Sequence, residues 1–304
     1  MGRSPGGNGR EAQPDGVRAL IGERVKTLLR RRRQARLRGA PDAIHDVRVA
    51  TRRLQEALKV FAHALPARER ERLRRRARSI RRSLAALRDA DVLLDLVRRL
   101  RAEPGGRAAP GLAALERRLA VRAGRLRRRL GRHHGPAGVS GPGLRIRGVR
   151  KRASALLHAA GEPANGLMSR AAVRVIGARA RAVRAALRPA RSGRAAALHR
   201  LRVAIKRYRY CLETLEAWGM TSLEPGIGQA RDLQEKLGAI HELDVLIELV
   251  RGTHAIPVLG RLRAERRRLA AAAGASIRAF RPLAPRAAAG SGPAPRVLFG
   301  ERAT

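Results

Sequence analysis

The sequence predicts an all-α fold built from a duplicated four-helix unit. Three observations carry that prediction. Hydrophobic residues make up 44% of the 304 residues, but aromatics only 2%, so Leu, Ala, Val and Ile must form the core. Ala, Leu and Arg favour helix, and runs of β-branched residues are few. Two sequence segments also recur in the same order about half a chain apart.

Residues 1–16 are rich in Gly, Pro and polar residues and read as disordered. Val17 to Arg38 reads as a first helix, stopped by the Gly39-Ala40-Pro41 punctuation. Asp42 caps a second helix, expected to run to about Leu65, where Pro66 ends it. A third covers Ala67 to Arg101 and a fourth runs from Gly111 to about Arg132. The stretch from Gly131 is a linker by composition, expected over about 133–166, in which residues 144–160 are only weakly helical. Further helices are expected at about 167–188, 194–218, 222–252 and 256–280, followed by a disordered tail over 281–304.

The first repeat pairs "HDVRVATRR" from His45 with "HRLRVAIKR" from His199, at an offset of 154. The second pairs "LAALRDADVLLDLV" from Leu84 with "LGAIHELDVLIELV" from Leu237, at an offset of 153. At 100° per residue, His45, Arg48 and Arg52 share one arc, with Val47, Ala50, Leu54, Leu58 and Phe61 opposite. In the second copy His199, Arg202, Lys206 and Arg209 face away from Leu201, Ala204, Tyr208, Leu212 and Leu215. The apolar stripes pack the core and leave the His/Arg stripes to face elsewhere. Solvation alone does not require that such a spacing be duplicated. Asp89, Asp91, Glu242 and Asp244 are expected to orient nearby arginines by ion pairing.

The formal charge of +44 demands an anionic partner. Lys26, Lys59, Lys151, Lys206 and Lys236 are the only lysines among 68 basic residues. Arginine's planar fork suits phosphate oxygens. Cys211 is the single cysteine, so no intrachain disulfide is expected. No apolar run has the length of a membrane span and no signal peptide is apparent, which points to a cytoplasmic protein without membrane contact. There is no P-loop, zinc pattern or poised nucleophile, so neither a cofactor nor a metal is expected.

These residues resemble the CHAD family (conserved histidine α-helical domain), whose pattern is His-x-x-Arg-x-x-x-Arg/Lys-Arg/Lys, over roughly residues 17–280. The resemblance implies two pseudo-symmetric four-helix bundles, about 17–132 and 167–280, with a basic cleft between them. It also implies binding of inorganic polyphosphate in that cleft, without catalysis, and an association with polyphosphate granules. By position, the ligands it implies are His45, Arg48, Arg52 and Arg53 with His199, Arg202, Lys206 and Arg207. Arg78, Arg82, Arg88, Arg231 and Lys236 transfer more loosely, since His241 stands where the first half has Arg88.

A protein that binds nucleic acid through its phosphate backbone is the main rival, and incidental nucleic-acid binding is compatible with either reading. Single strands, however, want aromatic stacking platforms, and this chain has few aromatics. A metal-dependent phosphohydrolase is the third reading, suggested by His45-Asp46, but the second copy has Arg200 in place of the acid. With histidines near their ordinary value of about 6.5, polyphosphate should bind more tightly at pH 6 than at pH 8.

Overall fold

A computed structural model describes residues 16–38, 41–103, 110–132, 147–160, 165–251, 256–283, 285–287 and 297–299. The fold is all-α. Helices α1 (Gly16–Arg38) and α2 (Pro41–Val60) are followed by a single 3-10 turn at Ala62–Ala64. Then come α3 (Ala67–Ser83), α4 (Ala85–Ala102), α5 (Pro110–Arg132) and α6 (Arg147–Ala159). The order closes with α7 (Asn165–Ala190), α8 (Ala195–Glu216), α9 (Glu224–Arg251) and α10 (Ile256–Ala279). Two three-residue strands, β1 (Pro285–Ala287) and β2 (Val297–Phe299), pair antiparallel within the segment read from sequence as a disordered tail.

The pattern expected as one helix over 67–101 is broken into α3 and α4, whereas the pattern expected over 222–252 is continuous as α9. At the break the Ser83 hydroxyl donates to the Ile80 carbonyl at 2.8 Å. Leu84 closes a tight turn by donating its N–H to the Arg82 carbonyl. The Arg48 guanidinium, arriving from α2, donates to the Arg81 carbonyl at 3.3 Å.

The hydrophobic cores do not divide at the linker. One core joins α1, α2, α3, α6, α7, α8 and the first part of α9 around Leu28, Leu54, Phe61, Leu201 and Tyr208, with Leu87 of α4, Ala123 of α5 and Ile277 of α10 packed into it. A second joins α4 and α5 to the end of α9 and the start of α10, around Val97, Leu112, Leu246 and Leu262. Each core draws on both halves of the chain. Helix α6 belongs to the first core: Val149, Ala153 and Leu156 are buried against α1 and α3. Residues 1–15 and 133–146, read as disordered terminus and linker, lie outside the described residues.

The chain after α10 stays on the bundle. The Leu283 N–H donates to the Tyr208 hydroxyl at 2.8 Å, and the Leu283 side chain covers Gly226, where a Cβ would lie only 2.4 Å from it. Glycine at 226 is what permits that approach.

Candidate functional site

The apolar stripe of α2 is buried as its spacing requires: Val47, Ala50, Leu54, Leu58 and Phe61 are all at most 5% exposed. On α8, Leu201, Tyr208, Leu212 and Leu215 are fully buried. With both stripes committed to the core, the basic stripes of α2 and α8, which pack against each other, are brought to a shared region. Arg52 of α2 donates to the Tyr210 hydroxyl of α8 at 3.1 Å. Its guanidinium carbon lies 5.4 Å from the Tyr210 ring centroid, and that of Arg209 lies 4.6 Å from it.

Lys206 sits in the middle. Burial, then the charges of Arg52, Arg202, Arg81 and Arg48, push its ammonium down to about 7. The same causes lower its neighbours. Burial lowers Arg48, with Arg52, Arg81 and Arg88 adding repulsion and Asp89 opposing it. Burial lowers Arg202, with Arg52 adding and Glu242 opposing. Burial and then Arg52, Arg78 and Arg82 lower Arg81. These mutual repulsions report proximity. Basic side chains from α2, α3 and α8 converge in a partly desolvated space.

Both repeated histidines flank this cluster. Burial and then Arg88 lower His45. His199 lies against His241 of α9, ring centroids 4.9 Å apart, and burial with Arg202 and His199 holds His241 down to about 4. Glu242 is raised by burial, opposed first by Arg99, which it meets at 3.9 Å.

Among the described residues, none of Arg48, Arg52, Arg81, Arg88, Arg202 and Lys206 comes within ion-pairing distance of a carboxylate. The Arg202 Nε is buried and without a hydrogen-bond partner. Many arginines elsewhere do find acids. The cluster is therefore short of negative charge, which an unpaired group in a partly buried space needs.

A family model for the CHAD domain matches residues 19–251. The chain belongs to the CHAD family. The crystal structure of the CHAD domain from the plant Ricinus communis is similar to this CHAD chain, with a TM-score of 0.63 and 22% identity, covering 89% of this chain and 94% of that one. PptA from Streptomyces chartreusis is similar with a TM-score of 0.55 and 18% identity, covering 86% of this chain and 96% of that one. At these identities the likeness speaks for the fold alone. No curated protein matches the chain.

Not every residue transferred by position from the CHAD pattern joins the cluster. Arg53 turns toward Glu213, its Nε 3.5 Å from the carboxylate, and clamps α2 to α8. Arg207 faces α7, in a separate recess of about 380 Å³ with Arg179 and Arg200. Arg231 lies near Glu216, and Lys236 donates to Ser276 of α10 at 2.6 Å. The reason is rotational: one helical step from the ladder, or one register shift between copies, carries a side chain to another neighbour. Arg78 and Arg82 flank the cluster through Arg81, and Arg88 approaches His45 and Arg48.

Sequence reasoning missed Arg81 and Tyr210 as members. Arg81 lies outside both repeated segments, and Tyr210 carries no repeat signal, since Glu56 stands at its position in the first copy. The acids divide into two kinds. Asp91 pairs with Arg127 of α5, and Asp244 with Arg266 of α10 at 2.8 Å, so that pair ties each last helix to its neighbour. Asp89 and Glu242 instead act on the cluster's arginines. Cys211 is fully buried, its thiol pushed up to about 12 by burial, and is no nucleophile at neutral pH.

Among the described residues, no group of three or more His, Cys, Asp and Glu is arranged to hold a metal ion. Nor is any described helix long and apolar enough to cross a membrane.

Proposed function

We propose that this CHAD domain binds inorganic polyphosphate on the cluster formed by α2, α3 and α8, without turning it over. The observation that carries this reading is a set of cations, Lys206 at its centre, held together with no carboxylate partner. A chain of phosphates, about one negative charge per unit and no bases to recognise, supplies matching charge at each step. Charge-assisted contacts contribute about 1.5–3 kcal/mol each before costs, so a few suffice for tight binding.

The single-strand form of the nucleic-acid reading gains little support. Phe61, Tyr208, Tyr210 and Phe280 are buried, and Trp218 packs edge-on against Phe61 at 5.7 Å, so none of these serves as a stacking platform. For a phosphohydrolase, Asp46 is engaged by Arg31 at 3.1 Å. We place the protein in the cytoplasm, at polyphosphate granules where these form.

Calorimetric titration with polyphosphate of defined length tests the reading. Binding that weakens steeply with salt and with Arg202→Ala is expected, and polyphosphate should displace duplex DNA at far lower phosphate concentration than the reverse. Absence of binding at low salt, or shortening of the chain by pure protein, would overturn it.

A further inference from the structure

Beside the cationic ladder lies a recess of different chemistry, with a volume of about 810 Å³. It opens between α4, α8 and α9, with Arg122 of α5 at its edge. We propose that it receives the base and sugar of a nucleoside polyphosphate whose phosphate tail lies on the ladder. The inference rests on the phosphate-binding reading above and adds a second ligand class to it.

Two residues connect the recess to the ladder. His199 and His241 both line it, and His241 feels the charges of Arg202 and Lys206. A phosphate tail on those cations would therefore leave the rest of its molecule at the recess mouth.

The walls suit that remainder and not more phosphate. Ala90, Leu93, Val245 and Leu249 make them apolar. Val245 is 39% exposed, and among the described residues only Val121 is a comparably exposed large apolar side chain. Asp89, Asp244 and Glu248 also line the recess, with Arg122 and Arg200, so its walls carry both signs of charge and, unlike the ladder, do not select a further run of phosphates. Asp244 is held by Arg266 at 2.8 Å and Glu248 by Arg251 at 3.0 Å, whereas Asp89 pairs with no described cation within 4 Å. Asp89 is thus an acceptor suited to an exocyclic amine. His241, uncharged at neutral pH, offers a flat face, and Arg122 a guanidinium that can lie on a base. An apolar cavity of this size with a few convergent polar groups is the ordinary form of a small-ligand site.

The test compares ATP with inorganic tripolyphosphate by calorimetry at pH 7, low salt and no divalent cation. The ladder alone favours tripolyphosphate, which carries at least as much charge on fewer atoms. The recess predicts the opposite order, ATP binding about tenfold more tightly. Val245→Asp, at an exposed position, should bring ATP down to the tripolyphosphate level and leave tripolyphosphate unchanged. ATP should also exceed ITP, which lacks the amine, and Asp89→Ala should remove that preference. ATP binding no tighter than tripolyphosphate, or a Val245→Asp effect equal on both ligands, overturns the proposal. If polyphosphate and tripolyphosphate bind while ATP shows no advantage, only the recess falls; if none binds, the ladder falls with it.

Discussion

The Arg52 guanidinium of α2 and the Tyr210 ring of α8 meet across the two halves of the chain, with a 3.1 Å hydrogen bond to the hydroxyl and the cation against the ring. Tyr210 is 4% exposed, so its position is fixed by the core and it fixes Arg52 in turn. Tyr210→Phe keeps the ring and its cation–π contact but removes the acceptor. Immobilising one long side chain costs roughly 0.5–1.5 kcal/mol, which the wild type has already spent before ligand arrives. Polyphosphate affinity should therefore fall about threefold to tenfold in Tyr210→Phe. Unchanged affinity by calorimetry would show that Arg52 needs no such support.

Arg52 and Arg53 are adjacent in sequence and opposite in role. Arg52 points into the cluster and meets no carboxylate at ion-pairing distance, while Arg53 meets Glu213, which Arg209 also engages. Burial and then Arg53 lower the nearby Arg24, so the clamp is shared with α1. Arg53 remains 43% exposed in its side chain, which discounts the pair to about 1 kcal/mol. Arg53→Ala should lower Tm by about 2–4 °C with little change in polyphosphate affinity. Arg52→Ala should do the reverse, weakening binding while relieving repulsion in the free protein. Both substitutions acting alike would erase the distinction.

That contrast marks the limit of what a single sequence discloses. Helix positions were legible because Gly and Pro punctuate the chain: 17–38 was expected and Gly16–Arg38 found, 256–280 expected and Ile256–Ala279 found. Which side of α2 is buried followed from the 3.6-residue period. The break at Leu84 did not, because no Gly or Pro marks it. Nor did the fate of Arg53, since its acid partner arrives from a helix some 160 residues away in the sequence. Angle on a helix says which way a side chain points; only tertiary packing says what it meets. The basic stripes lay in plain view, but the sharing of both cores between the halves was not encoded in any local period.

Protonation of Lys206 should couple to binding. In the free protein its ammonium is held down to about 7 by burial and by Arg52, Arg202, Arg81 and Arg48. His241, at about 4, stays neutral through the same window, and burial and then Arg88 lower His45, so Lys206 adds its own pH dependence to the one expected of the repeated histidines. An anionic chain among these cations favours the charged form. Below pH 7 the ligand finds Lys206 already protonated; above it, each binding event takes up a proton. Affinity should fall about tenfold from pH 6 to pH 8, with heats that depend on buffer ionisation enthalpy. Without ligand the sign reverses. Between about 7 and the ordinary 10.5 the unfolded chain holds a proton that the folded one lacks, so stability rises with pH across that window. Tm of the free protein should climb from pH 7 to 9.5, and Lys206→Met should flatten the climb. A flat wild-type profile would show that the amine is solvated after all.

Arg48 and Arg202 hold matching places in the two repeats yet differ in what they already bond. Arg48 donates to the Arg81 carbonyl, exposed by the break between α3 and α4. Helix α9 has no such break, and the Arg202 Nε is left buried without a partner. A buried donor without an acceptor costs about 1–3 kcal/mol, a cost that a phosphate oxygen can remove. Arg202→Ala should therefore weaken polyphosphate binding more than Arg48→Ala, by about tenfold, and leave the free protein as stable as wild type or more so. Arg48→Ala should lower Tm more, because it strips the Arg81 carbonyl of its donor. Titration and melting of the two variants side by side give four numbers. Equal losses of affinity would mean that the two repeats are equivalent to the ligand and that the break in the first half has no bearing on binding.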